Sequence, residues 1–241
     1  MLFSVEFDKL KRTRLLMISV ITIVLVASII VLQGLRYFQG ERYINTLGWL
    51  SEGTLSLFTY YIFPPLFSLM GSFIIYRELQ HDTLKNLQMI PLSNTRLMLV
   101  KILVAFCISL LMTSVLFLFV ICAEFIFNRE LMTIPFVITN LKQYILQGIG
   151  CFVAVTPIIT IVTVLSRGYW ISAAIAMVYS FIGVFTTNSS IHSMYPISAI
   201  FEISGARSVT PSEYFTALSS LVCVLLLSLL FVWLPLKKEG E

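Results

Sequence analysis

The sequence predicts an all-α integral membrane protein with six transmembrane helices, and three observations lead to this fold class. The chain has 241 residues, of which 58% are hydrophobic and only 12% are charged, whereas a soluble domain is about one quarter charged. Six apolar segments are near the roughly 20 residues that a helix needs to cross a bilayer. None shows the strict alternation of a membrane β-barrel strand, so each is expected to be a helix.

The predicted spans contain a single formal charge, Lys101, near the start of the third span. The sequence shows no internal repeat, low-complexity stretch or second domain, so residues 1–241 are interpreted as one transmembrane domain. The six spans are predicted at about Leu15–Leu35, Leu55–Tyr76, Leu97–Ala123, Tyr144–Leu165, Tyr169–Thr187 and Tyr214–Leu236.

Lysine and arginine residues set the expected orientation of these spans. With both termini in the cytoplasm, 11 of the 16 basic residues lie on the inner side and 5 on the outer side, which satisfies the positive-inside rule. The formal net charge of +4 is therefore a topology signal, and no basic stripe indicates nucleic-acid binding. The first apolar segment lacks a small-x-small cleavage pattern, so we interpret it as an uncleaved span.

Segments outside the spans carry further predictions. Residues 1–14 mix apolar and charged side chains at spacings of three and four, which indicates an amphipathic helix lying in the inner interface; an ordinary basic flank is the alternative. Outer segment 36–54 is rich in the aromatic residues expected at headgroup depth. Outer segment 188–213 is too apolar for a solvated loop and too short to span, so one or two short interfacial or re-entrant helices are expected there.

Groups that would support catalysis or ion coupling are missing from the predicted spans. The two histidines, His81 and His192, are predicted on opposite sides of the membrane, and no metalloprotease, phosphate-loop or nucleophile-elbow motif is present. The spans hold no acidic residue at mid-depth, which disfavours an intramembrane protease, an ion-coupled carrier and a cation pore. The four cysteines lack Cys-x-x-Cys spacing and are interpreted as small buried hydrophobes; they are Cys107, Cys122, Cys151 and Cys223.

The most informative part of the sequence is the polar segment between the second and third spans. Residues Arg77–Gln88 suit a short helix that Pro91 ends. Leu84 and Leu87 form a narrow apolar stripe on this helix, and its charges can pair only weakly with one another. We interpret the charges as an outward face for a partner protein; a plain solvated loop is the alternative.

Several short motifs in and around this segment carry a family resemblance. They are Tyr76-x-Glu78, Thr83-Leu84-Lys85-Asn86-Leu87, Pro91-Leu92-Ser93, Arg96 and Lys101. Together they resemble the first cytoplasmic loop of ABC-2 type permeases, the membrane subunits of one class of ATP-binding-cassette transporter, although Asp82 stands where that family commonly has glycine. The basic start at residues 6–12 resembles the interfacial start of the same family. Length and sparse soluble parts resemble the six-span permeases of lantibiotic-immunity and bacitracin-resistance exporters.

The resemblance implies that this chain is not an enzyme and holds no cofactor. ATP and magnesium would bind a cytoplasmic ABC ATPase present in two copies, and a second permease, identical or paralogous, would complete the complex. Membrane lipid would be a further partner and nucleic acid would not. The implied location is the bacterial cell membrane, with both termini cytoplasmic.

The resemblance also implies roles for particular residues. The polar helix would be a coupling helix that docks on the ATPase, through Glu78, His81, Asp82, Thr83, Leu84 and Leu87. The N-terminal interfacial helix would be a second lever, through Phe7, Lys9, Leu10, Lys11 and Arg12.

Spans two, four and five contain candidates for a hinge, a path and a packing face. Prolines remove helix hydrogen bonds and produce static kinks or hinges, and threonines on one face of span four either line a polar path or, as we favour, bond back to their own carbonyls. These candidates are Pro64, Pro65, Thr156, Pro157, Thr160 and Thr163. Small residues spaced by four in span five permit close helix packing, and the paired permeases are expected to meet near spans two and five through Ser172, Ala176 and Ser180.

Taken with the resemblance, these features predict the permease subunit of an ATP-driven ABC exporter. Its expected task is export of an antimicrobial peptide, lantibiotic or bacitracin-like, which would give antibiotic resistance or bacteriocin immunity. The alternatives are an ABC-2 exporter of a lipid or drug, a non-transport sensor or scaffold that binds a peptide, and, least favoured, an intramembrane enzyme.

Overall fold

The computed structural model of the protein describes residues 13–38, 41–80, 94–165 and 168–233. Within these ranges six helical segments are long and apolar enough to cross a membrane, which confirms the predicted all-α fold with six spans. The elements in chain order are α1 (Arg14–Gly34), β1 (Tyr37–Phe38), β2 (Glu41–Arg42), a 3-10 turn (Tyr43–Asn45), α2 (Trp49–Leu57), a π-helical segment (Phe58–Ile62), α3 (Phe63–Gln80), α4 (Asn94–Phe127), α5 (Ile134–Val164), α6 (Tyr169–Thr186), α7 (Pro196–Ser204) and α8 (Pro211–Val232).

Span two is composite, because α2, the π-helical segment and α3 follow one another without a break. The other spans are single helices: α1, α4, α5, α6 and α8 are spans one, three, four, five and six. Span two lies at the centre of the bundle and packs against α5 and α6. Its aromatic side chains Phe58, Phe63 and Phe67 are almost completely buried, and the last two stack with ring centroids 4.8 Å apart. The core of the protein is therefore built around span two.

One end of the bundle carries a small β-hairpin, whose two strands have two residues each. We call this end of the bundle the hairpin end. Strands β1 and β2 pair antiparallel, with Tyr37 opposite Arg42, and the Arg42 guanidinium lies 4.7 Å from the centroid of the Tyr37 ring. The rings of Tyr43 and Trp49 stack with centroids 5.4 Å apart. Segments 35–38, 41–48, 128–133 and 187–210 lie at this end, which sequence analysis predicts to be outside the cell.

Helix α7 is the short helix expected in segment 188–213. A proline occupies its first position, where the missing N–H costs no hydrogen bond, and Gly205 ends it with a left-handed φ of 76°. Ile197 and Ile200 of α7 are buried, and the helix packs against α5 and α8. The prediction of a short helix is thus confirmed, while its depth in the bilayer stays a prediction.

Helices α4 and α5 approach each other closely at Gly148. A Cβ atom added to this glycine would lie 2.4 Å from Thr113 Oγ1 and 3.0 Å from Thr113 Cβ. Both distances are shorter than an ordinary van der Waals contact, so a side chain at residue 148 would force Thr113 or one of the two helices to shift.

The first and last spans lie at the periphery. Only 22% of the most apolar 18-residue stretch of α1 and 17% of that of α8 are buried in the protein. Residues along one side of α1, including Ile21, Leu25 and Ile29, expose about half of their surface. Apolar side chains facing outward along a whole span are typical of a helix surrounded by lipid.

The predicted span boundaries require three corrections. Span two begins at Trp49 and not at Leu55, span three continues to Phe127, and span four begins at Ile134. Each extension adds at least one polar residue that interrupts the apolar run and is hydrogen-bonded to another element; these residues are Ser51, Glu124 and Asn140. Hydropathy alone places a boundary at the first such residue, whereas the helix continues wherever tertiary contacts satisfy that residue.

Candidate functional site

The proposed coupling and lever residues fall mostly outside the described part of the chain. His81, Asp82, Thr83, Leu84 and Leu87 lie between residues 80 and 94, and Phe7, Lys9, Leu10, Lys11 and Arg12 precede residue 13. Glu78 belongs to the last turn of α3, and its side chain is likewise outside the described set. The roles assigned to these residues stay predictions.

The structure does describe the elements that border the predicted coupling segment. Near the end of α3, the Phe73 and Tyr76 rings lie 5.4 and 6.0 Å from the ring of Tyr169, the first residue of α6. The Arg77 guanidinium lies 5.9 Å from the Phe73 ring centroid. The exit of span two and the start of span five therefore share one aromatic cluster, directly beside the segment predicted to contact an ATPase.

Above this cluster, α3 and α6 are joined by a reciprocal pair of hydrogen bonds. Ser68 Oγ donates to the Ser172 carbonyl oxygen, and Ser172 Oγ donates to the Ser68 carbonyl oxygen, both at 3.1 Å. Ser172 Oγ shares its hydrogen with the Tyr169 carbonyl oxygen of its own helix, at 2.6 Å. Both serines are completely buried. Hydroxyl-to-carbonyl bonds between helices require close backbone approach, which the small side chains on both helices permit.

This arrangement corrects the predicted use of the small-residue face in span five. Ser172, Ala176 and Ser180 are each 0% exposed within a single chain, and α6 packs on α3 of the same chain. The prediction of close helix packing is right, but the partner is the chain's own span two. These three residues are not available to a second permease in this structure.

A π-helical segment interrupts span two immediately before its two prolines. Pro64 and Pro65 have no N–H to donate to the carbonyls of Tyr60 and Tyr61, their expected partners in an α-helix. The segment Phe58–Ile62 widens the helix there, and the N–H of Phe63 bonds to the carbonyl oxygen of Phe58, five residues back. Such π segments are frequent at functional sites. The position predicted as a hinge or a static kink is thus an irregular part of the helix.

A buried polar chain connects the π-helical segment to α5 and α7. Thr59 Oγ1 donates to Gln147 Oε1, and Gln147 Nε2 donates to Ser204 Oγ at 3.2 Å. The thiol of Cys151 lies 3.9 Å from the Thr59 carbonyl oxygen. Thr59 and Gln147 are both 0% exposed. A polar chain inside an apolar bundle fixes the relative position of its helices, because every displaced group would be left without a partner.

A second contact joins the same π-helical segment to the loop that follows α6. The Tyr60 hydroxyl lies 2.7 Å from Thr187 Oγ1, and the Arg207 guanidinium donates to the Thr187 carbonyl oxygen. The ring of Tyr60 stacks on Phe201 of α7 with centroids 4.8 Å apart. The π-helical segment is consequently bound on two sides, by α5 and by the α6–α7 region. We call Phe58–Ile62 and these contacts the span-two junction.

The threonine face of span four makes hydrogen bonds within its own helix. Thr156 Oγ1 donates to the Phe152 carbonyl oxygen at 2.7 Å, and Thr163 Oγ1 donates to that of Ile159 at 2.6 Å. Thr160 bonds in the same way to the carbonyl oxygen of Thr156 at 3.1 Å. All three hydroxyls are buried. The favoured interpretation, back-bonding near Pro157, is confirmed, and this face lines no polar path in the structure.

A buried carboxylate anchors the upper end of span two. Glu124, near the end of α4, is 0% exposed, and its Oε1 accepts hydrogen bonds from the backbone N–H groups of Gly48 and Ser51, at 3.2 and 3.4 Å. Those N–H groups open α2, so the carboxylate acts as an N-terminal cap from another helix, where a negative charge is favoured. Gly48 has a left-handed φ of 90°, a conformation that favours glycine.

The remaining oxygen of Glu124 and the neighbouring polar groups complete this anchor. Asn128 Nδ2 donates to Glu124 Oε2 at 2.8 Å and to the Ile44 carbonyl oxygen at 2.9 Å. The Ser51 hydroxyl bonds to Asn140 Oδ1 of α5, and the Tyr144 hydroxyl donates to the Ser51 carbonyl oxygen at 3.0 Å. Spans two, three and four are therefore joined at the hairpin end by one hydrogen-bond network, the Glu124 network.

A histidine–glutamate pair fastens the α6–α7 loop at the hairpin end. His192 Nδ1 is hydrogen-bonded to Glu202 Oε1, which also accepts from Ser193 Oγ at 3.2 Å. On the other ring edge, His192 Nε2 lies 3.6 Å from Glu213 Oε1, and Glu213 forms a capping box with Thr210 at the start of α8. The pair thereby links the loop to both α7 and α8.

Tyr195 immediately precedes α7 and links it to α6. Its hydroxyl donates to the Tyr179 carbonyl oxygen. Burial raises the pKa of the Tyr195 phenol to about 12, because a charged phenolate would be poorly solvated there.

Sequence reasoning missed Glu124, Gln147 and Glu202 as structural determinants. Gln147 lies inside a predicted span, and a polar side chain in such a place is a usable signal of interhelical bonding. Glu124 directly follows the predicted end of span three, so its burial depended on the helix continuing. Residues 13–38, 41–80, 94–165 and 168–233 contain no group of three or more His, Cys, Asp or Glu placed to hold a metal ion.

These features define a multi-pass membrane protein whose central span is held near both ends, by the aromatic and serine contacts at one end and the Glu124 network at the other. Between these ends lies the irregular span-two junction, which contacts α5 and the α6–α7 region. The chain belongs to the ABC-2 transporter family, because the family model described as "ABC-2 family transporter protein" matches residues 2–183. The family predicted from the sequence is therefore confirmed.

A curated relative agrees with this assignment. The bacitracin transport permease protein BCRB of Bacillus licheniformis is 26% identical over 152 residues, which is 62% of this chain and 73% of the relative. The similarity extends beyond the short motifs of the polar segment and covers most of the relative's length.

Proposed function

We propose that this chain is the permease subunit of an ATP-driven exporter that protects a bacterium against a bacitracin-like or lantibiotic antimicrobial peptide. Membership of the ABC-2 family supports the transport role. The similarity to a bacitracin transport permease supports a peptide antibiotic as cargo. ATP and magnesium would bind a separate cytoplasmic ATPase, acting in two copies.

The observation that carries the mechanical part of this proposal is the continuity of span two. It runs from Trp49 to Gln80 as helix, π-helical segment and helix, and its lower end leads directly into the predicted coupling segment. A displacement of that segment by an ATPase would thus be delivered to the centre of the bundle. The reciprocal Ser68–Ser172 bonds would transmit it to span five, because packed helices move as units.

The span-two junction is the proposed point of flexure. A π segment followed by Pro64 and Pro65 lacks the regular hydrogen bonds that resist bending. The Glu124 network holds the end of span two above it, and the serine and aromatic contacts hold the end below it. Bending would therefore occur between two fixed ends, and the polar chain through Gln147 would convey it to α5 and α7.

A second permease, identical or paralogous, would complete the complex. With the small-residue face of α6 covered by α3, the proposed contact moves to the opposite face of α6. Ile171, Ile175, Val178 and Ile182 on that face are 39–64% exposed. The complex would lie in the cell membrane with both termini of this chain in the cytoplasm.

The test is the bacitracin susceptibility of a sensitive host that expresses this chain together with its ATPase. The expected result is a several-fold rise in the minimum inhibitory concentration. The rise should be lost with an ATPase variant that binds but does not hydrolyse ATP, and with Leu84→Asp in this chain. Asn86→Asp supplies a matched control, because it adds the same charge on a different face of the predicted coupling helix.

Two outcomes would redirect the proposal. Protection that persists with the hydrolysis-deficient ATPase would indicate a peptide-binding scaffold or sensor. Unchanged susceptibility to bacitracin and lantibiotics, together with ATP-dependent movement of a labelled lipid or drug in vesicles, would retain the exporter and replace its cargo.

A further inference from the structure

An apolar groove lies between the ends of α4 and α5 at the hairpin end of the bundle, away from the span-two junction. Its volume is about 690 Å³, within the range of about 300–1,000 Å³ typical of sites that hold small molecules. Its walls include Phe125 and Ile126 of α4 and Val137 and Ile138 of α5. Ile126 and Ile138 are 73% and 61% exposed, so the groove opens sideways to the surroundings of the bundle.

One cationic side chain stands at the polar end of this groove. Arg129 is among the lining residues, and its guanidinium lies 5.5 Å from the centroid of the Phe125 ring. The contact with the ring holds the charge beside the groove. Within the described ranges, no carboxylate lies within ion-pair distance of Arg129, and the adjacent Glu130 is not among the lining residues.

The groove lies at the ends of two helices that are long and apolar enough to cross a membrane. Helix α4 ends at Phe127 and α5 begins at Ile134, and Arg129, Met132 and Thr133 lie between these two helices. Lipid headgroups lie where the apolar part of a span ends. The site thus has apolar walls on two helix ends and a positive side chain in the connection between them.

We propose that this groove binds one anionic phospholipid, with an acyl chain along α4 and α5 and the headgroup phosphate at Arg129. A guanidinium pairs well with a phosphate through parallel hydrogen bonds. A single cation beside a groove of this volume fits one lipid headgroup better than it fits a peptide with many polar groups. The binding concerns the resting protein and does not depend on the proposed cargo.

Alkylation of two native cysteines can report whether this site is occupied. Sequence analysis predicted four buried cysteines, but Cys122 and Cys223 are exposed. Cys122 lines the groove, whereas Cys223 lies on α8 away from it. We suggest alkylating the full chain with N-ethylmaleimide in a neutral detergent and measuring both cysteines by peptide mass spectrometry. Dioleoyl phosphatidylglycerol is the anionic probe, and dioleoyl phosphatidylcholine has the same acyl chains without the net charge.

Phosphatidylglycerol should protect Cys122 and leave Cys223 unaffected. The concentration for half-protection should be about fivefold higher for phosphatidylcholine, as expected for one basic residue near an anionic lipid. Arg129→Gln should abolish this preference, and Arg129→Lys should keep most of it. Arg36→Gln removes another exposed cation of the hairpin end and should leave the preference intact.

Several results would overturn the proposal. These are an unchanged preference in Arg129→Gln, equal protection of both cysteines, and protection of Cys122 by bacitracin but not by phosphatidylglycerol. Cross-linking of Cys122 between copies in the absence of lipid would show that a second copy of the chain occupies the groove. Because the assay uses neither ATP nor an ATPase, failure of the exporter proposal would leave its outcome unchanged.

Discussion

Replacement of Glu124 should lower the free energy of unfolding by an amount that follows from the number of hydrogen-bond donors left without an acceptor. Glu124→Leu leaves two buried backbone donors, the N–H groups of Gly48 and Ser51, without their acceptor. An unsatisfied buried donor costs about 1–3 kcal/mol, so the free energy of unfolding should fall by roughly 2–6 kcal/mol. Asn128 Nδ2 keeps its second acceptor, the Ile44 carbonyl oxygen, and adds little to this loss.

Glu124→Gln provides the intermediate case. The amide oxygen can still accept from the start of α2, but hydrogen bonds to a neutral acceptor are weaker than those to a carboxylate, and the favourable charge at the helix N-terminus is lost. The expected reduction is about 1–2 kcal/mol. The order of stability should therefore be wild type, then glutamine, then leucine.

The assay is reversible unfolding in mixed micelles, with the free energy obtained by titration with sodium dodecyl sulfate. Glu130→Leu is the matched control, because Glu130 is exposed in the loop after α4 and should tolerate the change. If Glu124→Leu were as stable as Glu130→Leu, the carboxylate would not hold the start of span two, and the proposed fixed upper end would be wrong.

Three further predictions concern close packing, the polar chain and the alkaline pH range. Gly148→Ala should lower the melting temperature markedly, because its Cβ would lie 2.4 Å from Thr113 Oγ1, whereas Gly168→Ala has open space around it and should not. Gln147→Leu should reduce peptide resistance more than it reduces the amount of protein in the membrane, because it breaks the polar chain from the span-two junction to α7; equal losses in both would indicate a purely structural role. For Tyr195, burial raises the pKa of the phenol in the folded protein from about 10 to about 12, so the stabilisation by this side chain is complete below pH 10 and is lost as the pH rises through 12. Tyr195→Phe should therefore be less stable than wild type at neutral pH, and the deficit should narrow between pH 10 and 12; a constant deficit would contradict the shift.

The sequence was sufficient for the number and type of spans but not for their ends. Continuous apolar runs identify a membrane helix because the bilayer core imposes the same requirement on every span. The ends of α4 and α5 depend instead on contacts made by Glu124 and Asn140 with another helix. The hydropathy of the sequence does not reveal such contacts. The predicted end of span three is therefore too early, and the predicted start of span four is too late.

The span-two junction shows a similar limit. Pro64 and Pro65 cannot donate two of the helix hydrogen bonds, and the sequence therefore predicts a hinge or kink there. The π-helical geometry that accommodates them, and the bonds from Thr59 to Gln147, depend on which helix lies beside the prolines. The prolines thus predict an irregular helix, whereas the π-helical form and its bond to Gln147 depend on the packing of α5 against span two.

Span five illustrates a correct pattern with a different partner. Ser172, Ala176 and Ser180 have the spacing of a close-packing face, and they do form one. Spacing of small residues identifies a helix surface that permits close approach, but it does not say whether the approaching helix belongs to the same chain. In this protein the reciprocal bonds with Ser68 bring the chain's own α3 to that surface.

Export by this chain would depend on an external source of energy that reaches the bundle through the segment between α3 and α4. The most direct measurement is the amount of ATPase that copurifies with this chain, together with its ATP turnover, for wild type, Leu84→Asp and the control Asn86→Asp. We predict that wild type and Asn86→Asp retain a stimulated ATPase and that Leu84→Asp loses both binding and stimulation. An ATPase that stays bound and equally active with Leu84→Asp, or that never associates with the wild-type chain, would contradict the central claim.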